Sequence, residues 1–465
     1  MQKPYAPPSA GGKLNGKIQR ILASMLPRLQ PSRKELHEDY LAAQILMERL
    51  RRIVPMEIEV ALMGSAAKGT SLMGNRELDI FLLFPKKYPH DKMCGLGLQY
   101  AKAAFKGEKT QLRYAQHPYL RVFAGKYSAD IVPAYKINSI EEKGSAVDRS
   151  QLHAKYVKER FRAADLRPDV LLLKRFLKNI GAYGAELRIE GFSGYLCELL
   201  ILHYGGFAQL LHAASAWKNP KIDVAGHYAS KEMPAFFDAP FIVIDPVDQK
   251  RNVAAVVSQT SLSRFIFHAR SFLKRPSGKF FFSQKQQHSA SRMRKLIASR
   301  KTHVLALRFA APQVVDDILW PQLKRTSQCI VKSLSAQDFQ PFGYYHWSDG
   351  KECVLLLELS HGQLSCVRRV SGPAIYFAQD CEKFLSAHKN ALNLHLEHER
   401  LVAVEKRAQC TVEGALKAAL KTPRKLGIPE NFCPLVKKYR LLPTSALLSK
   451  KYLEFLGDYF TRKLS

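Results

Sequence analysis

A chain of 465 residues is too long for one small module and has room for roughly three domains of about 100–200 residues each. With 46% hydrophobic and 24% charged residues it can bury ordinary cores, which excludes a wholly disordered chain. The excess of 72 Lys and Arg over 40 Asp and Glu gives a net charge of +32, a field that favours nucleic acid as partner over a halo of merely solvated lysines.

The first residues, polar and rich in Pro and Gly, read as a frayed lead-in without the apolar stretch of a secretory signal. Lys17–Leu26 and Ser32–Arg52 carry apolar residues at helical spacing, the first stopped by Pro27 and the second opened by Ser32. Met56–Met63 alternates Ile58, Val60 and Leu62 with Glu57 and Glu59, the period of a half-buried strand that stops at Gly64. Ser65–Leu72 is expected as a short helix, Met73–Arg76 as a turn, and Glu77–Phe84 as a strand whose run from Ile80 to Phe84 implies burial on both faces. A helix around Cys94–Phe105 and strands over Tyr119–Ala124 and Tyr127–Ala134 complete an α/β sheet domain ending near residue 150. Helical spacing over Pro168–Ile180 and a long apolar stretch, Ser193–Leu211, predict a helical central region to about Arg275, with Pro276-Ser277-Gly278 as its boundary. Thr302–Phe309, Asp316–Ser335, Phe342–Trp347 and Glu352–Leu359 then follow as strand, helix, strand, strand, an α+β order.

The basic excess is spread over all three parts, as suits an extended RNA surface. No apolar run approaches the ~20 residues that cross a bilayer, so no membrane span is expected. The eight cysteines lack paired metal-ligand spacing and read as free thiols of a reducing cytoplasm, where the chain is expected to reside. The fifteen histidines form no HExxH-type cluster, so structural zinc is not expected.

Chemistry is concentrated in Gly64-Ser65-Ala66-Ala67-Lys68-Gly69-Thr70 and the following Glu77-Leu78-Asp79. A strand that ends in Gly-Ser and turns into a helix offers backbone N–H groups as a triphosphate cradle, to which Ser65 and Lys68 add a hydroxyl and a cation. Glu77 and Asp79, two apart on a strand, leave the same face. Asp130, opening another apolar strand, is a third hard-oxygen donor, and three carboxylates are what a pair of Mg²⁺ ions needs. Alone, Glu77-x-Asp79 reads first as an acidic strand edge facing solvent; with the Gly-Ser turn before it, the spacing is that of polymerase-β-like nucleotidyltransferases.

The segments ELDIFLLFP, AQHPYLRV, ADIVPAYK, SAVDRSQLH, GAYGAE, GFSGYLCELLI, DPVDQKRNVAA and VDDILWPQL, in this order, resemble the archaeal, class I CCA-adding enzymes. The resemblance implies a multidomain α/β plus α+β architecture: a polymerase-β-like catalytic domain over residues 1–152, a helical central domain over 153–275 completing the nucleotide pocket, and an α+β body and tail over 276–465 that bind tRNA. It implies two Mg²⁺ on Glu77, Asp79 and Asp130, ATP and CTP as substrates, the tRNA acceptor stem and T arm as partner, and a homodimer. Gly64, Ser65, Lys68, His153, Lys174 and Tyr183 fall where the family holds the nucleotide, although arginine is common at the position of Lys68 and lysine lacks its bidentate fork. Arg251 matches the arginine used on the Watson–Crick edge of cytosine or adenine, to which a guanidinium fork is suited. Each residue has a plainer alternative: a helix cap for His153, a snorkelling lysine for Lys174, a core ring for Tyr183, a rim salt bridge for Arg251. The aromatics Phe280-Phe281-Phe282 and Tyr344-Tyr345 read as core before base-stacking platforms. Two other functions share these features: a related terminal transferase with a different product, such as a poly(A) or A-only enzyme, and a non-catalytic RNA-binding relative.

Overall fold

In the computed structural model, which describes residues 16–114, 117–228, 238–282 and 288–461, two helices lead into the first sheet. Helix α1 (Gly16–Met25) ends before Pro27, and α2 (Arg33–Arg51) opens on a capping box in which Ser32 and Glu35 satisfy each other's backbone N–H. The sheet comprises β1 (Glu59–Met63), β2 (Glu77–Phe84), β3 (Lys109–Tyr114), β4 (Pro118–Ala124) and β5 (Tyr127–Tyr135), in the order β1-β2-β5-β4-β3. Only β2 and β5 pair in parallel; the other neighbours are antiparallel. The double-sided burial expected for β2 is met by alternation: Ile80, Leu82 and Phe84 join one core with α2 and helix α4 (His90–Ala104), whereas Phe81 and Leu83 join Ala134 on the opposite side. Helix α3 (Gly64–Lys68) is shorter than its expected Ser65–Leu72 because Gly69 takes a left-handed conformation, φ +70°, and caps it.

The same unit continues through α5 (Arg149–Ala163), α6 (Arg167–Asn179), α7 (Gly194–Tyr204), α8 (Phe207–Ser215) and α9 (Gln259–Lys274). Their common core is aromatic, with Phe176, Phe207, Phe265, Phe272 and Phe281 fully buried. The stretch Ser193–Leu211, expected as one helix, is two: Gly205 and Gly206, at φ +77° and +150°, turn the chain between them. This region also holds a small sheet the periodicity did not reveal, β6 (Lys221–Asp223), β7 (Ile242–Asp245) and β8 (Asp248–Asn252). Phe281 lies in the core as expected, and the guanidinium groups of Arg28 and Arg175 stand 3.9 and 4.3 Å from the ring centre of Phe282.

Chain contacts divide the protein into two units, Met1–Gln284 and Lys285–Ser465. The second holds helix α10 (Ala290–Arg300), then β9 (His303–Ala310), α11 (Asp316–Ser335), β10 (Pro341–Ser348) and β11 (Glu352–Leu359), the expected strand, helix, strand, strand order. A separate sheet of β12 (Val367–Ala374), β13 (Asn393–Glu397) and β14 (Arg400–Lys406) follows, and β15 (Arg440–Leu442) returns to the edge of β9. Tyr345 stacks on Phe455 at 5.3 Å, a packing role. The multidomain α/β plus α+β expectation therefore describes the molecule.

Candidate active site

The parallel register of β2 and β5 sets Asp79 directly beside Asp130 and Glu77 beside Ser128, so all four side chains leave one face of the sheet. Gly64, at the end of β1, lies against this face with φ +65°, and a Cβ there would fall 1.8 Å from Asp79 Oδ2. The glycine is required twice over, by its backbone conformation and by the carboxylate packed against it. Arg121 on β4 donates Nε and Nη2 to the two oxygens of Asp130, both at 2.6 Å, and stands 3.9 Å from Glu77. Burial, then the charges of Asp130 and Glu77, push the Asp79 carboxyl up from 3.8 to about 6. The hydrogen bonds it donates to Asp130 hold the Arg121 guanidinium firmly protonated. Among the described residues the three carboxylates do not close to within 4.8 Å of one another; Arg121 lies between Asp130 and Glu77 instead. The surplus negative charge that resists ionisation of Asp79, on hard oxygen donors, fits a divalent cation.

The turn after Gly64 is tied down from the central helices. Glu198 on α7, fully buried, accepts from Lys68 Nζ at 2.5 Å and from Thr70 Oγ1 at 2.6 Å. Lys174 on α6 donates to the Thr70 carbonyl at 2.8 Å and lies 3.7 Å from Glu198. Burial drives the Lys174 ammonium down; burial also opposes the Glu198 charge, but Lys68 and Lys174 overcome it and hold that carboxyl low. Ser65 Oγ is 2.9 Å from Ser71 Oγ. Lys174 is thus neither snorkelling nor at the cleft wall: it braces the turn from beneath.

A cleft of about 220 Å³ opens over the acid face, lined by Gly64, Lys68, Asp79, Phe81, Ser150, His153, Ala154 and Tyr195. His153, within α5 and not at its cap, stacks on Tyr195 at 3.9 Å and has Nε2 2.8 Å from Asp245 Oδ2. Arg251 Nη1 donates to the same oxygen at 2.7 Å, and Tyr195 Oη to Asp245 Oδ1 at 3.2 Å. Burial raises the Asp245 carboxyl, but the bonds from His153 and Arg251 outweigh it and bring it to about 2. Burial lowers His153, against the pull of Asp245, which keeps the imidazole neutral. Tyr183 pairs by a backbone bridge with Phe192 and lies under Lys178 at 5.2 Å, away from the cleft lining. The structure brings together Gly64, Lys68, Asp79 and His153, sets Asp130 beside Asp79, and leaves Lys174 and Tyr183 one layer behind. Sequence reading missed Arg121, Tyr195, Glu198 and Asp245. A lone glutamate in the apolar run YLCELLI, and the aspartate that ends the run FIVID, were the available signals.

Three family models match the chain in succession: a nucleotidyltransferase domain over residues 44–162, the second domain of tRNA nucleotidyltransferase over 168–282, and the C-terminal domain of the CCA-adding enzyme over 300–429. The CCA-adding enzyme of Methanosarcina mazei is 36% identical over 408 residues, 85% of this chain and 88% of the relative. That of Archaeoglobus fulgidus is 36% identical over 411 residues, covering 87% and 90%, and that of Methanoregula boonei 40% identical over 332 residues, covering 70% and 71%. Likeness of this extent, running through all three matched regions in order and carrying the acid-bearing sheet described above, makes the chain a member of the CCA-adding enzyme family of nucleotidyltransferases.

Proposed function

We propose that this chain builds and repairs the 3′-terminal CCA of tRNA without a nucleic-acid template. The 3′-hydroxyl of tRNA attacks the α-phosphorus of CTP or ATP, a new P–O bond forms, and the bond to pyrophosphate breaks. The observation that carries this reading is Asp79 set in register with Asp130 and packed on the Gly64 turn at the floor of the cleft. Two Mg²⁺ ions, held by Glu77, Asp79 and Asp130, would supply Lewis-acid activation of the hydroxyl and neutralise the leaving pyrophosphate. Arg121 keeps Asp130 aimed and shields it from its acidic neighbours. Ser65 and the turn backbone receive phosphate, with Lys68 at the cleft wall as the nearby cation. His153, kept neutral by burial, offers a hydrogen-bonding ring to the nucleotide, braced by Asp245 and stacked on Tyr195. Lys174 and Tyr183 act from behind by positioning, and Arg251, released from Asp245 or shared with it, reads the base edge.

In this reading residues 1–152 carry catalysis, 153–275 complete the nucleotide pocket, and 276–465 grip the acceptor stem and T arm by shape and phosphate. The net charge of +32 supports a polyanionic partner. A cytoplasmic homodimer is part of the same proposal. The test is to incubate the protein with Mg²⁺ and tRNA lacking its last three nucleotides, supply CTP, ATP, UTP and GTP singly and together, and sequence the 3′ ends. Two cytidines followed by one adenosine are expected. Extension by adenosine alone would transfer the chain to a sister transferase, and tight tRNA binding without extension would make it a non-catalytic binder.

A further inference from the structure

Where α4 packs on the catalytic sheet, three side chains converge that the nucleotidyl-transfer site does not use. His90 opens α4 and Cys94 lies one turn on, the spacing that stacks two side chains on one helix face, with Cys94 Sγ 3.9 Å from His90 Nε2. His117, just ahead of β4, is 5% exposed. One donor atom from each of the three lies within 4.8 Å of the other two.

His117 carries the most telling detail. Its Nε2 is 2.7 Å from the Pro133 carbonyl, which can only accept, so Nε2 bears the hydrogen and Nδ1 the lone pair. That Nδ1 is buried and has no hydrogen-bond partner. A buried acceptor without a partner is a rare and costly state, and a backbone carbonyl holding the opposite ring N–H is how ligating histidines are oriented. His90 shows a related feature: its Nδ1 stands 3.6 Å from the Asp91 carboxylate.

We propose that His90, Cys94 and His117 bind one zinc-class divalent cation. Two imidazole nitrogens and one thiolate form a borderline-soft donor set that selects zinc over Mg²⁺, so this ion does not compete for the carboxylates of the catalytic face. Zn–N and Zn–S bonds of about 2.0–2.3 Å require the donors to draw together by roughly 1 Å, which the half-exposed His90 side chain accommodates at the helix end. The fourth position, on the exposed side, is open to water. The ion staples α4 to the segment leading into β4, the strand that carries Arg121 four residues beyond His117. Linear spacing hides the site, because Cys94 and His117 are brought together only by the packing of α4 on the sheet.

The test uses the full chain, stripped with a chelator and titrated with Zn²⁺ against a chromophoric competitor in excess Mg²⁺, which occupies the carboxylate site. A parallel titration with Co²⁺ records thiolate-to-cobalt charge-transfer absorption. One equivalent of tightly held zinc and a thiolate band are expected. Cys94→Ser should remove the band, and His90→Ala, at the exposed end of the helix and so harmless to folding, should weaken zinc by more than ~10-fold with unchanged circular dichroism. The proposal is overturned by the absence of stoichiometric zinc, by zinc retained at full affinity in both variants, or by a band that survives Cys94→Ser and disappears when Cys366, an exposed free thiol of the second unit, is changed by Cys366→Ser.

Discussion

Asp79→Asn should stabilise the metal-free protein while destroying its activity. Well below pH 3.8 the Asp79 carboxyl is protonated in both folded and unfolded chains, and its burial carries no charge penalty. As pH rises past 3.8 the unfolded chain ionises while the folded one holds its proton to about 6, so folded stability falls across this window and then levels off. A displacement from 3.8 to about 6 corresponds to about 3 kcal/mol, an upper figure because the cleft leaves Asp79 part-exposed. Asparagine keeps the shape without the charge, so at pH 8 in EDTA the first unit of the variant should melt above wild type, by at most about 6–12 °C. The gap should all but close near pH 4, and Mg²⁺ should narrow it at pH 8 by binding wild type better. Melting followed by circular dichroism at both pH values, beside primer extension, checks this. Equal melting at pH 8, or a gain that persists at pH 4, would refute the electrostatic account of the acid face.

Gly64→Ala, which drives a methyl into Asp79 Oδ2 at a φ of +65°, should cut kcat by about 100-fold or more in extension assays while the circular dichroism spectrum stays native. Glu198→Gln strips the charge shared by Lys68 and Lys174 and should cost about 3–5 kcal/mol in urea unfolding; a change under ~1 kcal/mol would mean that the glutamate is already protonated. Arg251→Ala should alter the choice among C, A and other nucleotides more than tRNA affinity, as read by sequencing products; normal fidelity with weakened binding would put Arg251 on phosphate instead. Affinity for tRNA should drop by about 10³-fold or more between 50 and 200 mM salt, and a flat response would remove the polyanion argument.

Where local pattern and burial coincide, the sequence was enough. Glu77–Phe84 and Asp316–Ser335 are found at their expected bounds because an unbroken apolar run and a long helical period each have one reading. Strand β3 escaped notice because KTQLRY is almost wholly exposed and shows no alternation, its place being set by pairing with β4. The small sheet β6–β8 escaped because its strands, of 3, 4 and 5 residues, are too short to show a period. In the site, Glu77, Asp79 and Asp130 were legible from spacing, whereas Arg121, Glu198 and Asp245 act through partners 9, 130 and 92 residues away. Such long-range pairs leave no periodic trace; only an ionisable residue inside an apolar run hints at them.

The charge-latched seam at Glu198 bears on how this protein can be taken apart. Its two hydrogen-bonded partners, Lys68 and Thr70, come from the acid-bearing sheet region, whereas Glu198 and Lys174 come from the helices that follow. Exchanging the first 150 residues for those of a distant nucleotidyltransferase would bury that carboxylate without Lys68 and Thr70. An apolar seam tolerates approximate shape, but a buried ionic one demands matching partners. Chimeras of this protein are therefore best cut after the central helices, near residue 284, so that sheet and helices travel together as one inherited piece.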